Sequence, residues 1–124
     1  MTRHLTVADV TAVAAFAFGG TPPELRTPGL LESAVHRPRA RMFGVSAYED
    51  VYEQAGALLH ALAANHPFVD GNKRTAWLCA VVLLALNGVD RAEADQDRAY
   101  DLVVSVAAGQ VEDPAVIGGA LRAL

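Results

Sequence analysis

The sequence has 124 residues, of which 52% are hydrophobic and 19% are charged, and its formal net charge is −4. This length and composition predict a single folded domain, residues 1–124, and exclude an intrinsically disordered chain. The negative charge argues against direct binding to DNA, which requires a clustered positive surface.

The N-terminal part of the chain reads as helices separated by glycine and proline. Thr6 and Asp9 have the spacing of a capping box, and the helix that they open, Val7 to Phe18, stops at two glycines. Thr27 precedes a proline and opens a second, short helix, which the next proline closes. The segment 37–46 does not fit a helix, and it predicts an extended loop or a small β-hairpin.

The middle of the chain predicts two long helices. Ser46 and Glu49 resemble a second capping box, which opens a helix that reaches about Asn65. The next helix runs from about Asn72 to Leu86 and is hydrophobic all round, so we expect it to be the central helix of the fold. Its longest apolar run is too short to cross a bilayer, and the N-terminus has no signal-peptide pattern. We therefore expect a cytoplasmic protein that does not act at a membrane.

The C-terminal part predicts two further helices. Asp95 caps a helix that continues through Ala108, and Asp113 caps a last helix through Leu121, which two adjacent glycines should weaken. No strand pattern of useful length occurs. The predicted fold class is all-α, with about six helices packed around a central hydrophobic helix and the small hairpin as the one candidate for extended structure.

A dense group of polar residues, HPFVDGNKRTA, occupies positions 66–76, directly before the apolar helix. The first N–H groups of a helix have no intrahelical partner, and the helix dipole favours negative charge there. Gly71 lets an anion approach the backbone closely, and Lys73 and Arg74 place positive charge in the first turn. These features together predict a phosphate-binding site.

The same segment offers two groups suited to catalysis. His66 is a candidate general base for a hydroxyl, because imidazole exchanges protons near neutral pH. Asp70 is an oxygen ligand of the kind that holds Mg²⁺ together with substrate phosphates. The combination predicts phosphoryl or nucleotidyl transfer. The segment does not match a Walker A loop, and the chain lacks the histidine and cysteine spacing of a zinc site.

Each of these residues also has a structural explanation when it is taken alone. His66 could donate to a carbonyl at a helix end, and either Asp70 or Asn72 could cap the following helix. Lys73 and Arg74 could be solvated surface charges. However, Lys73 is the only lysine among ten basic residues, and its position inside this group favours a functional interpretation.

The residues 66–74 resemble the core motif of the Fic/Doc superfamily, H-P-F-x-[DE]-G-N-x-R, at every fixed position. Further likeness to the Doc (death-on-curing) toxin branch lies in residues 29–34, in Arg37 and Pro38, and in the small size. The resemblance implies an ATP- and Mg²⁺-dependent protein kinase, the toxin of a toxin–antitoxin pair, which modifies a threonine of elongation factor Tu and arrests translation.

Roles for individual residues follow from the resemblance by position. His66 would take the proton from the target threonine, and Asp70 would hold Mg²⁺. The ATP phosphates would be contacted by the four residues that follow: Gly71, Asn72, Lys73 and Arg74. A flap that pins the target segment by strand addition would correspond to residues 39–47.

The chain departs from the wider Fic pattern at two positions. AMP-transferases of that kind continue G-N-G-R-x-x-R, whereas this sequence has Lys73 at the second glycine and Trp77, otherwise expected in the core, at the second arginine. Doc toxins share the lysine, which implies transfer of the γ-phosphate. Two alternatives stay open: a Fic-type AMP-transferase acting on a protein hydroxyl, and an inactive module that binds a nucleotide or a partner.

Regulation is also implied by the resemblance. Fic/Doc proteins are restrained by a helix carrying S/T-x-x-x-E-[GN], and this pattern does not occur in the sequence. The restraint would therefore come from an antitoxin of the Phd type, whose tail folds as it binds.

Overall fold

The computed structural model describes residues 1–124 and contains six α-helices and one two-stranded sheet. The helices are α1 (Val7–Ala17), α2 (Pro28–His36), α3 (Val51–Asn65), α4 (Asn72–Leu86), α5 (Gln96–Ala107) and α6 (Pro114–Ala123). A 3₁₀ turn, Arg37–Arg39, leads into strands β1 (Arg41–Met42) and β2 (Val45–Ser46), which pair antiparallel. The all-α class and the small hairpin are thereby confirmed.

Side-chain caps start several helices at the predicted residues. Thr6 and Asp9 form a complete capping box at α1, with distances of 2.9 and 3.1 Å between side-chain oxygen and backbone nitrogen. Asp95 accepts hydrogen bonds from the first turn of α5, and Asp113 accepts one from the first turn of α6. These caps satisfy N–H groups that have no partner within the helix.

The predicted start of α3 is wrong. Ser46 does not cap it, because Ser46 pairs with Arg41 in the hairpin and its hydroxyl donates to the Tyr48 carbonyl. The cap is Asp50, whose carboxylate accepts a hydrogen bond of 2.9 Å from the backbone N–H of Glu53. The hairpin therefore ends before the helix begins, and a short turn separates them.

The central position belongs to α3 instead of the predicted α4. No residue of α3 is exposed, and this helix packs against α2, α4, α5, α6 and the 3₁₀ turn. By contrast, α4 packs against α1, α3 and α5 and leaves Lys73, Arg74 and Ala85 exposed. The reason is side-chain size: α3 is rich in alanine and carries a glycine, so neighbouring helices approach it from several sides.

The closest of these approaches is between α3 and α6. A Cβ atom on Gly56 would lie 2.7 Å from the Pro114 carbonyl oxygen, and one on Gly118 would lie 2.8 Å from the Tyr52 carbonyl oxygen. Each glycine thus allows backbone to meet backbone. The glycines of α6 were expected only to weaken that helix, but Gly118 is what lets it pack.

The core is one cluster of 22 buried residues, which come from every helix and also include Leu5 and Phe68. Its largest fully buried side chains include Leu58, Leu59 and Leu62 of α3 and Leu83 and Leu84 of α4. Cys79 of α4 is also fully buried, and burial raises the pKa of its thiol to about 12, so it acts as a small apolar side chain. None of the helices is long and apolar enough to cross a membrane.

The hairpin projects from the 3₁₀ turn as a tight, apolar-tipped loop. Phe43 and Gly44 both have positive φ, 52° and 77°, the conformation that two-residue hairpin turns favour. The Phe43 side chain is fully exposed. Two arginines anchor the turn below it: Arg37 contacts the ring of His60, and Arg39 donates to the Leu5 carbonyl at 2.8 Å.

Candidate active site

The six predicted site residues line one cleft, with a volume of about 720 Å³. Its walls are the C-terminal end of α1, one face of α5, the first turns of α4, and the loop of residues 66–71, here called the motif loop. This loop joins the end of α3 to the start of α4. The two long helices therefore fix both ends of the loop.

His66 caps the C-terminal end of α3 and has a left-handed backbone conformation, with φ 49° and ψ 60°. This conformation costs a residue other than glycine about 1 kcal/mol or more. The imidazole is exposed on the cleft, and the hydrogen bonds at this residue are made by its backbone carbonyl. The alternative interpretation, a ring that serves only to satisfy a helix-end carbonyl, is therefore not what the structure shows.

The start of α4 has no side-chain cap, contrary to the expectation for Asp70 or Asn72. The N-cap position is Gly71, in a left-handed conformation with φ 76°. The Asp70 carboxylate accepts a hydrogen bond of 2.7 Å from the backbone N–H of the next residue, Gly71. The N–H groups of the first turn thus remain available to an anion in the cleft, where the helix dipole favours negative charge.

Asn72 has a structural task that the sequence did not reveal. Its side chain is buried and makes two hydrogen bonds to the backbone of Phe68. The Phe68 N–H donates to Asn72 Oδ1 at 3.0 Å, and Asn72 Nδ2 donates to the Phe68 carbonyl at 2.8 Å. Phe68 itself is fully buried. The Asn72 side chain therefore ties the motif loop to the core and does not cap α4.

The two predicted cations are exposed in the first turn of α4. Arg74 lies near the end of α1, where its guanidinium approaches the Ala17 carbonyl at 3.4 Å. Lys73 makes no salt bridge, and the one salt bridge of the chain joins Arg122 to Asp50. Two positive charges beside a positive helix end repel one another, so the arrangement favours a bound anion.

The carboxylate of Asp70 fits a magnesium site in which the protein supplies few of the ligands. One of its oxygens is engaged by Gly71 and the other is not, and the side chain is exposed on the cleft. The chain has no cluster of three or more ligating side chains. An ion at Asp70 would therefore take most of its ligands from phosphate oxygens and water, which is how Mg²⁺ is commonly bound with nucleotides.

Much of the cleft wall was not predicted from the sequence. Trp77, expected in the core, is only half-buried and lines the cleft, as do Phe18 beside α1 and Tyr100 of α5. Gln96, Tyr100 and Val104 follow a helical i, i+4 spacing on the α5 face that borders the cleft. This spacing is visible in the sequence, but it carries meaning only once α5 is known to pack on α4.

Gly71 offers a direct test of how tightly the cleft is built. A Cβ atom at this position would overlap Cε2 of the Phe18 ring, and an alanine here would have to adopt a left-handed conformation. We expect Gly71→Ala to lower the free energy of unfolding by the roughly 1–2 kcal/mol of backbone strain plus a smaller excess, because the exposed Phe18 ring must turn away from the added methyl group. Urea titration of the variant would measure the loss.

Gly88 is the matched control for this substitution. Its φ is 86°, close to that of Gly71, but a Cβ atom there would meet nothing within 4 Å. Gly88→Ala should therefore lower the free energy of unfolding by the backbone strain alone. The excess loss in Gly71→Ala should vanish when Phe18 is also replaced with alanine, and an excess that persists there would mean that Phe18 is not its cause.

Comparison with known proteins extends the likeness beyond the motif loop. The Fic/DOC family model matches residues 4–84. The chain is 49% identical over 108 residues to "Toxin Doc" of Mycolicibacterium smegmatis, an alignment that covers 86% of this chain and 82% of that protein. It is 34% identical over 114 residues to "Protein kinase doc" of Escherichia phage P1, covering 88% and 86%. The chain therefore belongs to the Fic/DOC family.

Proposed function

We propose that this protein is the toxin of a toxin–antitoxin pair and acts as a protein kinase. It would transfer the γ-phosphoryl group of ATP to a threonine hydroxyl of elongation factor Tu in the cytoplasm and so arrest translation. The names of the two relatives, a toxin and a protein kinase, support the general class. The observation that carries the proposal is the uncapped start of α4 beside the exposed imidazole of His66.

The phosphates of ATP would bind where the first turn of α4 meets the motif loop. The backbone N–H groups of Asn72, Lys73 and Arg74 have no side-chain cap, and the helix dipole adds to their attraction for an anion. The Lys73 and Arg74 side chains supply charge-assisted hydrogen bonds to phosphate oxygens. Gly71 keeps the backbone accessible, because any larger residue would fill the space between it and Phe18.

In the transfer step the threonine oxygen forms a bond to the γ-phosphorus, the bond from that phosphorus to the β–γ bridging oxygen breaks, and ADP leaves. His66 would accept the hydroxyl proton on an imidazole nitrogen as general base. Its exposure on the cleft lets a protein substrate reach it. Mg²⁺, held by Asp70, would neutralise part of the phosphate charge.

The main competitor is AMP transfer by a site with the same base and carboxylate. Two features of this chain favour the kinase. Lys73 adds a cation at the anion site where the AMP-transferase pattern has glycine, and Trp77 places an indole on the cleft wall where that pattern has arginine. With neither group of the AMP-transferase pattern present, we propose that ATP is seated with its γ-phosphate next to His66.

Labelled ATP distinguishes the candidates. The purified chain is incubated with elongation factor Tu, Mg²⁺ and ATP labelled at either the α- or the γ-phosphate, and transfer to protein is followed by gel. The kinase transfers label from the γ-position only. Transfer from the α-position would establish AMP transfer instead, and ATP binding without any transfer would leave an inactive nucleotide-binding module. Chelation of Mg²⁺ should stop either reaction.

The partner that restrains the toxin would be an antitoxin of the Phd type. Support comes from the sequence, which lacks the inhibitory S/T-x-x-x-E-[GN] pattern, and from the open cleft, whose α5 wall is largely apolar. The hairpin would serve as the flap that holds the target segment, since Met42, Phe43 and Val45 expose apolar side chains next to a short strand edge.

A further inference from the structure

The motif loop is held from outside by a segment about 40 residues earlier in the chain. The Val69 N–H donates to the Glu24 carbonyl, and the Arg26 N–H donates to the Pro67 carbonyl, each at 2.8 Å. Between them Leu25 and Phe68 form an isolated antiparallel bridge. From the sequence alone, this segment is only a linker between α1 and α2.

Arg26 also reaches past the loop to the end of α3. Its Nε atom donates to the His66 carbonyl at 3.0 Å, and its Nη2 atom donates to the Asn65 carbonyl at 2.8 Å. The last carbonyls of a helix have no partner within the helix, so two of these groups are satisfied by one guanidinium. The planar fork of arginine suits two neighbouring acceptors, which a single ammonium matches less well.

The position of these two carbonyls gives the contact a specific consequence. One carbonyl belongs to the peptide unit before the His66 Cα, and the other belongs to the peptide unit after it. Two peptide planes held at the same Cα fix its φ and ψ, and therefore the direction of the Cα–Cβ bond. Arg26 thus holds a left-handed conformation that His66 would not favour by itself.

We propose that Arg26 is the positioning residue of the site: it aims the imidazole of His66 into the cleft through the backbone, without touching substrate. The inference rests on the proposed function of His66 as general base. It assigns a catalytic effect to a residue outside the motif, on the surface, and 40 positions away. A base that is displaced by even about 1 Å loses much of its effect, of the order of a hundredfold in rate.

The test compares Arg26→Ala and Arg26→Lys with Arg91→Ala. Arg91 is a matched control because its guanidinium also donates to a backbone carbonyl, that of Arg122 at 2.9 Å, and to Tyr52 near the opposite end of α3. We expect kcat to fall about ten- to a hundredfold in Arg26→Ala with little change in the KM for ATP. The lysine variant should lie between it and the wild type, and Arg91→Ala should keep the wild-type kcat.

Chemical rescue separates positioning from general loss of stability. Methylguanidinium, added well below denaturing concentration, should restore activity to Arg26→Ala but not to a variant without the imidazole, because only the former has a vacant guanidinium site. An unchanged kcat in Arg26→Ala would overturn the inference. So would a fall in kcat that Arg91→Ala reproduces equally.

A measurement without turnover keeps this inference separate from the proposed function. In the wild type we expect one set of imidazole NMR signals for His66, and in Arg26→Ala we expect shifted or broadened signals for that ring alone among the four histidines. If the wild type transfers no phosphate, the proposed function fails while this measurement still decides the role of Arg26. Unchanged His66 signals in Arg26→Ala would refute it.

Discussion

Replacing His66 with alanine is expected to lower phosphoryl transfer by about a hundredfold to ten-thousandfold, the usual contribution of a positioned general base. The imidazole is exposed on the cleft and is not needed for packing, so the loss should fall on the chemical step. Transfer of γ-label under single-turnover conditions measures it directly. In cells the same substitution should abolish the growth arrest that follows expression of the chain.

His66→Asn is the companion variant, because asparagine tolerates a left-handed backbone better than alanine does. Both variants should remain folded by circular dichroism and unfold cooperatively. If His66→Asn is as inactive as His66→Ala, the loss is chemical and not a result of backbone change. Full toxicity in either variant would remove His66 from the mechanism.

Replacing Gly118 with alanine is expected to cause a large loss of stability for one added methyl group. The new Cβ would lie within 3.0 Å of three backbone atoms of Tyr52 and Glu53, and backbone cannot swing aside as a side-chain end can. Helices α3 and α6 would have to separate, at a cost of about 1–3 kcal/mol. The midpoint of urea unfolding reports this loss.

The neighbouring glycine provides the control. Gly119 lies in the same helix, is exposed, and would have nothing within 4 Å of an added methyl group. Gly119→Ala should therefore stabilise the chain by up to about 1 kcal/mol, since alanine is the better helix former. Equal effects at the two positions would show that α6 does not pack on α3 as described.

Local chemistry made much of the fold predictable. Thr6, Asp95 and Asp113 start their helices because each supplies a side-chain oxygen to N–H groups only two or three residues away. The predicted site residues also lie together for a local reason: they are contiguous in one short segment, so any compact fold keeps them close. Such features depend on a few neighbouring residues, so they can be predicted without knowledge of the tertiary structure.

The failures share a different cause, which is contact between distant parts of the chain. Hydropathy favoured α4 as the central helix, but Gly56 and Gly118 give α3 more neighbours by allowing close approach. The amide of Asn72 was available for capping in principle, and only the buried position of Phe68 shows why it turns back. The role of Arg26 depends on a contact across 40 residues, which a single sequence does not encode in any visible pattern.

The left-handed backbone of His66 also matters to anyone who engineers this chain. Helices that end in this conformation most often place glycine there, because glycine adopts it without strain. Substitutions ranked by folding free energy alone would therefore put His66 among the first residues to be replaced, and they would discard the proposed base. At this one position glycine would favour stability and histidine would favour activity, so a stabilised chain that remains active must gain its stability at other residues.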